Sequence, residues 1–234
     1  MFRTLFSIIV YPAALTVFGL GAGIYLLAAL FIKPQTLHPL ARLISRLFLL
    51  SCGQVLRVEN PPPEPGAESR LYLFNHASLF DVFALVAALP HYVTSVGAEK
   101  QFSWPVWGRI VKRYGVIPIN RKDLNAAIHS LGRMETVLKS GVSCIISPEG
   151  TRTLTGELGP FKKGPFHVAR HTGVTLVPVG IIGTFAAKNK LDWRLKPGII
   201  TIRFGDPLPA AEYAQSGVEE LRNMVRERII DLIK

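Results

Sequence analysis

Between Arg3 and Lys33 the chain carries no charged side chain. Within that gap, residues 5–32 are apolar apart from Ser7, Tyr11, Pro12, Thr16 and several glycines. The stretch exceeds the roughly 20 residues needed to cross a hydrocarbon core. The apolar part of a cleaved signal peptide would be about half as long, ~7–15 residues, and would precede a small-residue cleavage site. Ala28-Ala29 is a weak candidate for such a site, so a retained membrane anchor is the better reading. Pro12 and the cluster Gly19, Gly21, Gly23 could break the segment into two shorter helices. The remainder of the chain must fold with one end held at a membrane.

Charge supports that constraint. Arg3 precedes the apolar segment, whereas Lys33, Arg42 and Arg46 follow it. Excess positive charge after the segment places the rest of the chain on the cytoplasmic side. Residues 37–56 interleave Leu40, Ile44, Leu47, Phe48 and Val55 with Arg42 and Arg46, and Arg57 follows. This pattern reads as a basic amphipathic helix, lying at a membrane surface or packing on the domain. The 234 residues carry a formal net charge of +11, which favours anionic partners. No basic stripe with a reading element is visible, which argues against nucleic acid and for an anionic membrane surface. Cys52 and Cys144 lie in apolar contexts without metal-ligand spacing. They read as buried thiols in a reducing compartment, and no metal is expected.

The proline-rich run 60–66 cannot be a helix or a central strand. It separates an N-terminal helical module, residues 1–59, from a globular domain, residues 60–234. In that domain short β-type runs at 70–74, 92–97, 116–119, 143–146, 176–182 and 199–204 alternate with helical patterns. The helices are expected at 81–89, 104–113, 123–140, 163–172 and 218–233. In the clearest, Asp123 caps the start, Ile128, Leu131, Met134, Val137 and Leu138 form one face, and Gly141 ends it. Pro178 suggests an edge or irregular position for its strand. The alternation predicts an α/β fold: a mixed, largely parallel sheet covered by helices, with the membrane-associated helical segment before it. Ligands of such sheets bind beyond the strand ends.

The strand 70–74 runs into Asn75-His76-Ala77-Ser78-Leu79-Phe80-Asp81. Residues five apart on a regular helix point roughly 140° away from each other at about 3.6 residues per turn. His76 and Asp81 therefore meet only if His76 lies in the loop and Asp81 reaches back from the first helical turn. The carboxylate would then hold one ring nitrogen and leave the other as a base. On these residues alone a structural role is the commoner one, since Asn75 and Ser78 are ordinary helix-capping types. Three more polar clusters follow strands. Arg121 ends the run 115–121 and can fork onto phosphate oxygens, or pair with Asp123. Glu149-Gly150-Thr151-Arg152 follows the strand 143–146, with a glycine that lets the backbone approach an anion. Lys162-Lys163 enters a helix N-terminus, where lysines suit an anion better than the helix dipole.

With these blocks in order, the chain resembles the glycerolipid acyltransferase family, specifically the bacterial 1-acyl-glycerol-3-phosphate acyltransferases. His76 with Asp81 matches the first block, residues 115–121 the second, Glu149 to Arg152 the third, and Val177-Pro178-Val179 the fourth. The resemblance covers roughly residues 70–205. Two departures are Ser147 before Pro148, where the family has an aromatic or aliphatic residue, and Gln101-Phe102 after Lys100. The resemblance implies acyl transfer from acyl-CoA or acyl-carrier protein, with no other cofactor, to the free hydroxyl of lysophosphatidate. It also implies a place at the inner membrane. His76 would be the general base and Asp81 its orienting partner. Lys100, Arg121, Glu149, Gly150, Thr151 and Arg152 would shape the glycerol-phosphate site. Backbone N–H groups at the start of the Asp81 helix are the expected oxyanion donors. Another lysolipid acceptor, a non-catalytic lipid-binding role and a His-based hydrolase stand as alternatives.

Overall fold

The computed structural model describes residues 2–63 and 68–234. Residues 64–66 of the expected proline-rich loop lie outside them. The chain opens with helix α1 (Phe2–Ala28) and helix α2 (Pro34–Ser51). Then come β1 (Gln54–Glu59), β2 (Arg70–Phe74), α3 (Phe80–Ala88), β3 (Val93–Ala98), a 3-10 turn (Glu99–Ser103), α4 (Trp107–Tyr114) and β4 (Ile117–Ile119). The second half adds α5 (Leu124–Lys139), β5 (Ser143–Ile146), α6 (Gly164–Thr172), β6 (Thr175–Ile182), α7 (Thr184–Ala187), β7 (Gly198–Phe204), α8 (Ala210–Tyr213) and α9 (Val218–Ile233).

Among the described residues the strands form a seven-stranded sheet in the order β1-β7-β6-β2-β5-β3-β4. Every neighbouring pair is parallel except β6 with β7. Side chains alternate between the two faces of the sheet, as strand geometry requires. Leu71 and Leu73 of β2 join Met134, Leu138, Phe166, Val225 and Ile229 on the face covered by α5, α6 and α9. Tyr72 and Phe74 join Phe80, Leu85, Leu49 and Ala14 on the face covered by α1, α2 and α3. Both faces are thus apolar, which is why β2, β5 and β6 read as nearly continuous apolar runs.

Three expectations change. Residues 54–56, taken as the end of an amphipathic helix, belong to β1, so the sheet begins before residue 60. Gly53 adopts φ 74° and ends the helical stretch, and Val55 and Leu56 then pair with Ile199 and Ile200. Pro178 sits in an interior strand, not at an edge. Its missing N–H falls just before the β7 ladder, which starts at Val179, while its carbonyl accepts the Gly205 N–H. Helix α1 runs unbroken through Pro12, and the Thr16 hydroxyl donates to the Pro12 carbonyl at 2.9 Å.

Helix α1 touches the domain along its length. Arg3 pairs with Asp192 at 3.5 Å, and the Ser7 hydroxyl accepts the Leu195 N–H at 2.8 Å. Tyr11 donates to the Trp193 carbonyl. Phe18 meets Phe48, Phe83 and Trp107, and Tyr25 meets Tyr114. Gly21 brings α1 close to α2: a Cβ there would lie 2.7 Å from Ile44. His38 pins α2 from below, with Nδ1 3.1 Å from the Tyr114 hydroxyl and Nε2 donating to the Leu89 carbonyl at 3.0 Å. The outward side of α1 presents Leu5, Ile8, Ile9, Leu15, Leu20, Ile24 and Leu27 to the surroundings.

Two glycines test this packing with opposite signs. Gly183 has φ 90°, and a Cβ there would lie 2.2 Å from the Ile199 carbonyl oxygen. Gly183→Ala should cost about 2 kcal/mol or more of unfolding free energy, from strain plus backbone displacement. Gly132 lies inside α5 and a Cβ there meets nothing within 4 Å, so Gly132→Ala should gain about 0.5–1 kcal/mol. Denaturant titration of both variants measures these changes.

Candidate active site

The carboxyl ends of the parallel strands point to one rim of the sheet. His76 follows β2, Glu149 to Arg152 follow β5, Lys100 follows β3 and Arg121 follows β4. At His76 the chain turns toward α3. Asp81, in the first turn of α3 and completely buried, reaches back into that loop. Its Oδ2 accepts three hydrogen bonds: His76 Nδ1 at 2.7 Å, the Ala77 N–H at 2.8 Å and the Ser78 N–H at 2.8 Å. Its Oδ1 is buried without a hydrogen-bond partner among the described residues. The carboxylate also sits at the N-terminal end of α3, where the helix dipole favours negative charge.

The bond from Nδ1 to an ionised carboxylate places the proton on Nδ1 of the neutral ring. Nε2 then carries the lone pair and makes no hydrogen bond among the described residues. The His76 side chain is 17% exposed, which leaves a path for a reactant. Phe74 meets the ring edge to face, with centroids 5.7 Å apart, and restricts it from behind.

The turn is tied to its neighbours through its backbone. Glu149 Oε1 accepts the His76 N–H at 2.7 Å, and Oε2 accepts the Gly159 N–H at 2.8 Å. Burial pushes the Glu149 carboxyl up, while the two N–H bonds oppose that shift. Both carboxylate oxygens are therefore engaged in bracing the loop, although the sequence suggests a place among the substrate contacts. The His76 carbonyl accepts the Thr153 N–H at 2.9 Å. Ser78 is fully buried and its hydroxyl donates to the Lys188 carbonyl at 2.5 Å. Asn75 is not a helix cap: its side chain donates to the Ile181 carbonyl at 2.9 Å and accepts the Ile181 N–H at 2.7 Å. Of the backbone N–H groups near the start of α3, where oxyanion donors are expected, those of Ala77 and Ser78 are committed to Asp81, and that of Phe80 donates to the Ser78 hydroxyl at 3.2 Å.

A sequence model of a family described as Acyltransferase matches residues 55–182. The chain belongs to the acyltransferase family. A 1-acyl-sn-glycerol-3-phosphate acyltransferase of Cocos nucifera is 33% identical over 163 residues, covering 69% of this chain and 53% of that protein. A chloroplastic relative of the same description from Brassica napus is 38% identical over 116 residues, with 33% of its length covered. The chain thus spans about half or less of these first curated relatives. The Salmonella typhimurium protein of the same description is 26% identical over 240 residues, covering 100% of this chain and 94% of that one. Among solved structures, the 1-acyl-sn-glycerophosphate acyltransferase PlsC of Thermotoga maritima superposes with a TM-score of 0.85. It covers 97% of this chain and 94% of its own at 21% identity, a likeness that establishes the fold.

In this acyltransferase the remaining candidates lie along the same rim of the sheet. Arg152 is half-buried beside the His76 turn. Burial pushes its guanidinium down, and the Asp81 carboxylate opposes that shift. Gly150 adopts φ 71°, a left-handed conformation that turns the chain from Glu149 toward Arg152. Thr151 is exposed. Lys100 and Arg121 are exposed, and neither side chain forms a hydrogen bond or ion pair among the described residues. Arg121 does not pair with Asp123, which instead caps α5 by accepting the Ala126 N–H at 3.0 Å. Strand β4 lies three places from β2, roughly 14 Å at ~4.8 Å per strand, so Arg121 stands well along the rim from His76. Thr153, Gly159 and Lys188 escape sequence reasoning, and Asn75 reads there only as a cap; apart from Gly159, their partners lie far along the chain. Cys52 and Cys144 are buried, and burial pushes both thiols up to about 12.

Glu149→Gln should separate bracing from substrate contact. The amide must turn an NH2 toward one of the two N–H donors, leaving a buried donor unsatisfied, at a cost of about 1–3 kcal/mol. We expect turnover to fall about tenfold while the KM for the acceptor stays within about twofold. Steady-state kinetics and thermal unfolding of the variant check this.

Proposed function

We propose that the chain transfers a fatty acyl group to the free hydroxyl of lysophosphatidate, giving phosphatidate, from acyl-CoA or acyl-carrier protein. The observation that carries the reading is the 2.7 Å contact of His76 Nδ1 with Asp81 Oδ2 in a chain of the acyltransferase family. The similarity to 1-acyl-sn-glycerol-3-phosphate acyltransferases of Cocos nucifera and Salmonella typhimurium supports it.

The chemistry follows from the geometry. An alcohol is a poor nucleophile until a base takes its proton as it attacks. His76 Nε2 accepts that proton while the substrate oxygen forms a bond to the thioester carbonyl carbon. Asp81 holds the ring and stabilises the imidazolium that forms. The tetrahedral intermediate collapses as the C–S bond breaks, and His76 returns the proton to the departing sulfur. No protein nucleophile, metal or further cofactor enters. Lys100, Arg121 and Arg152 supply cations for the acceptor phosphate, with Gly150 and Thr151 shaping the turn that presents Arg152. Glu149 acts through the backbone of His76.

The α1 surface fits amphiphilic substrates. Keeping acyl chains in lipid avoids exposing them to water, about 0.8 kcal/mol per methylene. Because α1 is held to the domain from Arg3 to Tyr25, a perpendicular crossing would draw polar parts of the domain into hydrocarbon. We read α1 instead as lying with its outward apolar face in one leaflet. The basic residues after it suit the anionic lipids of a cytoplasmic leaflet, which supports a place on the cytoplasmic side of the inner membrane.

Two experiments test this. His76→Ala in the detergent-solubilised protein should reduce acyl transfer to lysophosphatidate at least about 100-fold, with the fold intact by circular dichroism; full activity would sink the mechanism. Leu15→Glu with Leu20→Glu alters only outward positions. The pair should weaken binding to phospholipid vesicles at least about tenfold in a sedimentation assay, with thermal unfolding unchanged.

A further inference from the structure

Beside the His76 turn stands a cation that no sequence block contains. Lys188 follows α7, and its carbonyl is held by the Ser78 hydroxyl at 2.5 Å. Arg152 is fixed to the same turn from the other side, because its neighbour Thr153 donates from its N–H to the His76 carbonyl at 2.9 Å. The backbone at Lys188 and the backbone next to Arg152, from different loops, are thus tied to two residues of one turn, Ser78 and His76. Lys188 and Arg152 are both half-buried.

Neither forms an ion pair with a carboxylate among the described residues. Among the described residues no Asp or Glu oxygen lies within 4.0 Å of the charged nitrogens of Lys188 or Arg152. The neighbouring carboxylates hold other donors through Asp81 Oδ2 and both oxygens of Asp192. Asp81 Oδ2 holds three donors. Asp192 is gripped by Arg194 at 2.9 Å and by Arg3 at 3.5 Å. Lys188 Nζ donates only to the neutral Asn189 carbonyl, at 2.7 Å. Burial pushes the Lys188 ammonium down and the positive charge of Arg152 pushes it further, with Asp192 acting in the opposite direction. Partly desolvating two adjacent like charges costs free energy. An anion between them offsets that cost, and phosphate oxygens do so with short charge-assisted bonds.

We propose that Lys188 and Arg152 together seat a phosphate group of one of the two substrates, the lysophosphatidate acceptor or the carrier of the thioester donor. The proposal rests on the acyl-transfer reading and adds to it a residue outside the family blocks. A purely structural Lys188 would act through its backbone carbonyl, which any side chain preserves, so the charge itself is what the test must remove.

The test is calorimetric titration of the whole detergent-solubilised chain with four ligands: lysophosphatidate, monoacylglycerol, coenzyme A and pantetheine. The second and fourth lack the phosphates of the first and third. Lys188→Met should weaken either lysophosphatidate or coenzyme A at least about tenfold, and leave its phosphate-free counterpart within about twofold. Lys188→Arg should restore most of the loss, and Lys190→Met, at an exposed neighbour, should change nothing. The affected ligand identifies which substrate uses the seat. The proposal is overturned if both phosphate ligands bind Lys188→Met as they bind the wild type, if the phosphate-free ligands weaken equally, or if the wild type binds neither phosphate ligand. Turnover is measured separately. A wild type that binds these ligands yet does not acylate lysophosphatidate contradicts the acyl-transfer reading and leaves the seat to be judged on the titrations.

Discussion

One carboxylate oxygen, Asp81 Oδ2, organises the rim of the sheet. It accepts from the His76 ring and from two successive backbone N–H groups. A completely buried carboxylate is costly unless donors replace the water it has lost. Three donors and the N-terminal end of α3 supply that replacement, and in doing so they determine the shape of the loop. The ring orientation, the tautomer and the turn are therefore one arrangement. Removing the carboxylate would release all three together.

The rest of the fold supports that turn from outside. Asn75 binds it to β6, Glu149 and Thr153 bind it to the segment after β5, and Ser78 binds it to the segment after α7. Below it, Phe74 and Phe80 belong to the core shared with α1 and α2. Helix α1, with its exposed apolar outward face, is thereby packed on the same core that carries the histidine. On the proposed reading, this joins membrane attachment to catalysis through a few layers of side chains. The reactive nitrogen is then held at a set depth relative to the lipid surface.

The legibility of the chain divides along the range of its interactions. β2 and β5 can be placed to the residue because each is an apolar run that ends at polar, turn-forming residues. The meeting of His76 with Asp81 is also legible, since helical periodicity allows only one way to join them. β1 is not, because Val55 fits a helical face as well as a strand and its partner β7 begins at Gly198. The bracing role of Glu149 is hidden for a similar reason: the group it holds is 73 residues away. Asn75 looks like a cap locally, yet it bonds a strand 106 residues later. Lys188 belongs to no block at all, and only the folded turn brings it near Arg152.

The central claim is that Asp81 presets His76 as a neutral base with its free lone pair on Nε2. Nitrogen-15 NMR of the histidine side chains, assigned through a His76→Gln variant, measures this directly. Above the ring's own titration, the account predicts a directly bonded proton on Nδ1 of His76 and none on Nε2. A proton on Nε2 in the neutral enzyme, with Nδ1 bare, would contradict it.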